Sequence, residues 1–320
     1  MKYNKQVVRS FFGLLIGIAL LSHIAYTIAS NDTITSASFG QFIGQTTGVF
    51  YLVIILLFIS SSIEIIKWKQ LLDSQNPVSW KQATMSVMLG QAASFITPNR
   101  IGDYPARILS LKSKLTYGSI SLSIMGATAQ TLAVLFCSQI ALLKIVQNNL
   151  GSIFELLFVI NTFILIVITV LYFKLEWLSI KLSNIKYLRK IKQYINVMRT
   201  IPRKLYFSTI IWSILKCLIY TLQLFLLVRS AKMQGDQIQI FLICIIYFLG
   251  MTIIPSIAYA ELGIRNKWGL FLFSCIAFES WKIAIAITSL WLINIVIPAV
   301  IGATLFLIKK PNNKIYASSY

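Results

Sequence analysis

This sequence is poor in acid. Nine Asp and Glu stand against 29 Lys and Arg in 320 residues, a net charge of +20, and charged residues of both signs make up only 12% of the chain. His23 is the single histidine, which excludes a Cys/His zinc cluster and a Ser-His-Asp triad. The four cysteines, Cys137, Cys217, Cys244 and Cys275, lie far apart inside apolar runs, so no CxxC pattern exists for metal or redox work and they read as small packing residues. Walker A, GxGxxG and HExxH patterns are absent, and no polar segment is long enough for a soluble nucleotide-binding domain. No cofactor, metal or nucleic-acid partner is therefore expected.

What fills the chain instead is apolar: 57% hydrophobic residues and a mean hydropathy of +0.78, values typical of proteins that use lipid as solvent. A helix needs about 20 apolar residues to cross the hydrocarbon layer. About six runs qualify, near 10–29, 44–66, 115–143, 152–173, 207–228 and 283–308. The opening MKYNKQVVRS with its apolar run reads as a first span, with a signal peptide as the alternative. The expected architecture is an all-α polytopic membrane protein forming a single integral domain over 1–320.

Basic loops face the cytoplasm. Lys2, Lys5 and Arg9 place the N-terminus inside, and following the chain puts Lys67, Lys69 and Lys81, the strongly basic loop 174–206, and the tail 309–320 inside as well. Segment 30–43 carries no Lys or Arg, and the other outer segments carry only Lys144, Arg229, Lys232 and Lys282. Most of the positive charge is thus topology signal, which favours a multi-pass cell (inner) membrane protein with both termini cytoplasmic. The basic loop reads either as a solvated orientation signal or as an amphipathic segment on anionic headgroups.

Two stretches do not read as simple spans. In the first half (1–173), QATMSVMLGQAASFIT is short for a crossing and rich in small residues, and TPNRIGD then breaks it. Pro98 cannot continue a helix and Gly102 permits backbone shapes other residues resist. YPARILSLKSK returns toward Lys112 and Lys114, so 82–114 forms a re-entrant helical hairpin entered from the cytoplasm. In the second half (207–308), QIQIFLICIIYFLGMTII meets Pro255, then SIAYAELGIRNK and an apolar return, making a second hairpin over 237–281. Parity makes the two hairpins oppositely oriented, as in an inverted repeat.

Each break combines proline, glycine, an acid and an arginine: Pro98, Arg100, Gly102 and Asp103, then Pro255, Glu261, Gly263 and Arg265. Irregular backbone at membrane depth belongs where it is buried in protein or lines a watery cavity. We expect both breaks to face one polar cavity, with Thr97, Pro98, Gly102, Pro255 and Gly263 shaping an anion cradle and Arg100, Asp103, Arg107, Glu261 and Arg265 contacting the substrate. The structural alternative is that Arg100 pairs with Asp103 and Arg265 with Glu261, which would only steady two turns. Glu64, Gln130, Gln139, Lys216, Glu279 and Lys282 are further polar candidates, although Glu279 and Lys282 lie three apart and suit a simple helical pair. The tryptophans read as an interfacial belt.

Thr97-Pro98-Asn99-Arg100-Ile101-Gly102-Asp103, and Pro255 followed by Glu261-Leu262-Gly263-Ile264-Arg265-Asn266, resemble in order and separation the motifs of the lysylphosphatidylglycerol synthase transmembrane-region (flippase-like) family. Asn99 stands where glycine is usual there, and Asn266 where an acid commonly follows the arginine. The resemblance covers nearly the whole chain. It implies a lipid-handling protein lacking the aminoacyl-transferase domain of the larger relatives, hence the expectation of a translocase for an anionic or phosphate-linked (glyco)lipid rather than an enzyme. The rival expectations are a membrane-embedded enzyme that modifies a lipid headgroup, with Asp103 or Glu261 as base, and a subunit presenting lipid to a partner glycosyltransferase.

Overall fold

A computed structural model describes residues 36–97, 100–109, 111, 116–148, 151–174, 200–230, 235–254, 261–276 and 279–308. Every regular element among them is helical: α1 (Ser36–Asp73), α2 (Trp80–Ile96), α3 (Asp103–Leu109), α4 (Thr116–Gln147), α5 (Ser152–Phe173), α6 (Arg203–Ser230), α7 (Gln237–Ile253), α8 (Glu261–Ser274), α9 (Ser280–Trp291) and α10 (Ile297–Ile308). A π-helical turn, Leu292–Val296, joins the last two. Pro298 has no N–H to give the carbonyl four residues back, and the wider turn precedes the residue that would break an α-helical ladder.

Among the described residues, five stretches are long and apolar enough to cross a membrane: Thr46–Asp73, Gly118–Gln147, Ser152–Phe173, Arg203–Ser230 and Ser280–Leu305. They match the expected spans after the first, which lies outside the described residues together with Pro98, Pro255 and most of the basic loop. Several helices are longer than the apolar runs suggested. The largest difference is α1, which continues through IKWKQLLD to Asp73. Lys67, read from sequence as a cytoplasmic loop charge, is a helical residue only 3% exposed.

The helix starts have local causes. Ser79 and Gln82 form a reciprocal capping box at α2, with Gln82 N–H donating to Ser79 Oγ and Ser79 N–H to Gln82 Oε1. Asp236 caps α7 by accepting from the Ile238 N–H at 3.0 Å.

The chain divides into two compact units whose boundaries fall inside helices. The first comprises Ser61–Gln130, Val167–Ser213 and Leu292–Tyr320; the second comprises Met1–Ser60, Thr131–Ile166 and Ile214–Trp291. Within the first unit, α2 packs against both α3 and α10. Gly302 makes the second contact possible, since a Cβ there would overlap the Met88 carbonyl oxygen. Gln70 ties α1 to α6 by accepting from Ser208 Oγ and Trp212 Nε1, both at 3.0 Å.

Within the second unit, α8 packs against α7 and α9. Asn161 is completely buried on α5, a helix whose other face is largely exposed apolar surface. Its amide donates to the Leu135 carbonyl and to Gln139 Oε1, and Gln139 in turn donates to Thr162 Oγ1 at 2.7 Å. Gln139, expected as a cavity residue, is thus engaged in holding α4 against α5.

Candidate functional site

Thr97 links the end of α2 to the approach to α3. Its hydroxyl donates to the Ala93 carbonyl at 3.1 Å and accepts from the Gly102 N–H at 2.8 Å, so one side chain serves the end of α2 and the approach to α3. Gly102 is required by proximity: a Cβ would overlap Ala93 O and the Thr97 side chain. Arg100 adopts the left-handed backbone region, φ 58°, uncommon for a non-glycine residue, and its N–H donates to Thr97 O. Arg100 is half-buried.

Asp103 is the first residue of α3, where a carboxylate is favoured by the helix dipole. One turn later Arg107 grips it with two parallel bonds, Nε to Oδ1 at 2.7 Å and Nη2 to Oδ2 at 2.8 Å. The remaining arm, Nη1, reaches Glu64 Oε1 on α1 at 2.9 Å, and Glu64 Oε2 meets Lys67 Nζ at 3.0 Å. Trp68 lies 5.3 Å from the guanidinium carbon and its Nε1 donates to Ser86 Oγ, which donates to the Arg107 carbonyl. Gly90 leaves the space these groups use, since its Cβ would overlap Asp103 Oδ1. Side-chain exposure falls from 23% at Asp103 to 10% at Arg107, 6% at Glu64 and 4% at Lys67, so Asp103 is the edge of the cluster.

The second unit holds a shorter version. Glu261 is the first residue of α8, and Arg265, one turn on, donates through Nε at 3.1 Å and Nη2 at 2.7 Å to Glu261 Oε1. Tyr247 of α7, fully buried, lies beside the same guanidinium. Trp268 Nε1 donates to the Tyr247 carbonyl, its indole seated where a Cβ on Gly250 would lie. Asn266 Nδ2 reaches Leu262 O and Thr288 Oγ1, while its buried Oδ1 has no hydrogen-bond partner among the described residues.

The common element is therefore an acid at the first helical residue with an arginine four positions later, DYPAR at 103–107 and ELGIR at 261–265. The sequence pairing of Arg265 with Glu261 is present. Asp103 is gripped by Arg107, which the sequence sets beside Arg100 as a substrate contact. Both helix starts offered as anion cradles already carry a carboxylate. Gly263 sits inside the first turn of α8, exposed, with open space around it, so it is a helical residue. Gly263→Ala is accordingly expected to stabilise α8 by up to about 1 kcal/mol in thermal unfolding, whereas Gly102→Ala unfolds the turn.

Sequence reasoning missed Lys67 and Trp68, assigned to a loop and to an aromatic belt. Trp68 is 1% exposed. The signal available was IEIIKWK, where Glu64 and Lys67 lie on one helical face. Of the remaining polar candidates, Gln130 Nε2 reaches Ser213 O, Lys216 lies over the Tyr220 ring, and Glu279 pairs with Lys282 at the exposed start of α9.

A helical chain with several lipid-compatible spans and charged side chains buried among them is a multi-pass α-helical membrane protein. It belongs to the family described as the lysylphosphatidylglycerol synthase TM region, which matches residues 10–302 and associates the chain with lipid handling. No curated protein and no solved structure matches it.

Proposed function

We propose that this protein moves an anionic or phosphate-bearing lipid headgroup across the cell (inner) membrane, with both termini cytoplasmic and the acyl tails left in lipid. The observation that carries this reading is the buried arginine held by a helix-start carboxylate in each unit. Charges within membrane-spanning protein are costly to keep and mark substrate paths. A guanidinium already oriented toward a carboxylate is oriented toward any planar pair of oxygens, phosphate included, and the carboxylate holds that place until the headgroup arrives. Arg100, Arg107 and Arg265 are the headgroup contacts in this reading. Asp103 and Glu261 are their exchangeable partners, and the turns at Thr97, Pro98 and Gly102 and at Pro255 are re-entrant breaks that set the arginines at depth.

The test is reconstitution of the full chain into liposomes carrying fluorescent phosphatidylglycerol, with leaflet location read by a membrane-impermeant quencher. Wild type equilibrates the probe between leaflets without changing its chemistry. Arg100→Ala and Arg265→Lys each slow equilibration by about tenfold or more, the worth of one charge-assisted hydrogen bond. Equal rates in protein-free liposomes, or a chemically altered lipid, overturn the reading.

A further inference from the structure

We propose that Lys216 of α6 is a headgroup-binding residue, acting with Arg265 on one phosphate-bearing headgroup in the second unit. This rests on the translocation reading and adds to it a contact that lies outside both arginine-bearing breaks.

The placement of Lys216 along and around its helix is unusual for a lysine. It is the fourteenth of 28 residues in α6, about 20 Å from either end, so its four-carbon stem cannot carry the ammonium to a membrane surface. Ile211, Leu215, Leu218 and Leu222 form the exposed apolar side of α6. Helical spacing puts Lys216 on the opposite side, with Thr209, Ser213 and Gln223, each 1% exposed or less. Lys216 itself is half-buried. A lysine at mid-span that faces protein rather than lipid is costly to keep and marks a substrate or ion path.

Contacts within the second unit bring Lys216 to the level of Arg265. Phe225 meets Phe241 with ring centroids 5.5 Å apart and Tyr220 meets Phe248 at 6.1 Å, so α6 and α7 run antiparallel. One turn further in that register, Lys216 comes beside the last turn of α7. α8 runs back along α7: Trp268 donates to the Tyr247 carbonyl and fills the space beside Gly250, and Arg265, one turn before Trp268, comes beside the same last turn. Ring contacts join the two cations. Lys216 Nζ lies 5.6 Å from the Tyr220 ring centre, Tyr220 packs on Phe248, Phe248 packs on Tyr247 at 5.3 Å, and Tyr247 lies beside the Arg265 guanidinium.

The two cations suit different parts of one anion. The Arg265 fork takes a planar pair of phosphate oxygens, whereas an ammonium is a point charge with three rotatable donors on a flexible stem. Lys216 can therefore add a bond to a phosphate oxygen beside whatever it holds at rest, and keep that bond while the headgroup turns into the Arg265 fork. The Tyr220 ring face seats the ammonium and leaves its far side open to an oxygen ligand.

The test does not require transport. Purified full-length protein is titrated calorimetrically with dihexanoyl phosphatidylglycerol, and each variant is checked for monodispersity. Lys216→Met, which keeps the stem and deletes the charge, weakens binding by about tenfold or more in a variant that stays monodisperse, and Lys216→Arg restores it to within about threefold. In an Arg265→Lys background the loss from Lys216→Met shrinks, because the two side chains share one headgroup. Inorganic phosphate, the second titrant, binds more weakly than the lipid and with the same dependence on Lys216. Wild-type affinity in Lys216→Met overturns the assignment and leaves the translocation reading standing. Strict additivity with Arg265→Lys overturns the shared headgroup. Inorganic phosphate binding as tightly as the lipid overturns the choice of a lipid ligand. Failure of both Lys216→Met and Lys216→Gln to fold, where Lys216→Arg folds, makes the ammonium part of the scaffold and overturns the proposal. No binding of either probe by wild type overturns the translocation reading itself.

Discussion

Arg107→Ala leaves Asp103 and Glu64 facing each other without the guanidinium that both grip, and is expected to destabilise the protein by about 3 to 5 kcal/mol. Loss of monodisperse protein in mild detergent and a large drop in unfolding temperature are the readouts. The size comes from the orphaned charges, because truncating one partner of a buried pair costs far more than the pair contributes over apolar residues of the same shape. That asymmetry separates fold from function. Replacing all four charges at once, Glu64→Met, Lys67→Met, Asp103→Leu and Arg107→Met, is expected to recover most of the lost stability while abolishing lipid movement. A quadruple variant that folds and still moves lipid would show the cluster to be scaffolding only.

Gly302→Val is expected to separate α10 from α2. The contact there is with the backbone carbonyl of Met88 and the methyl of Ala92, and a carbonyl in a helix cannot rotate aside as a long side chain can. Gly302→Ala already places a Cβ on that oxygen and costs about 1 to 3 kcal/mol, and the branched residue costs more. Because α2 also carries Gly90 and Ser86, a shift of α2 moves the groups flanking Asp103 and Arg107. Reduced headgroup affinity should therefore accompany the lower unfolding temperature, and binding that survives intact would show that α2 and α3 move as one body.

The spans were legible because their signal is cumulative: a run of about 20 apolar residues offers few alternatives in a bilayer, and 152–173 agrees with α5 to the residue. The interruption between the helices ending at Ile96 and beginning at Asp103 was legible because proline and glycine act locally. Helix ends read less well. Composition placed Lys67 and Lys69 in a loop, yet the helical ladder continues to Asp73, because a charged residue is no barrier to helix where Glu64 can accept Lys67 and Asp73 can accept Lys69. The pairing of Asp103 was obscured by Arg100, nearer in sequence but on the turn, whereas Arg107 lies one helical turn along the same face.

The sequence by itself determined that this is a helical membrane protein, where its hydrophobic spans run, and that two breaks bear arginine and acid, since each follows from composition or from residues close along the chain. Only the tertiary structure decided that Glu64, Lys67 and Trp68 on α1 and Ser86 on α2 join the DYPAR helix around one guanidinium. Glu64 and Arg107 are 43 positions apart, and a partnership at that separation is set by how helices pack, which no local pattern encodes.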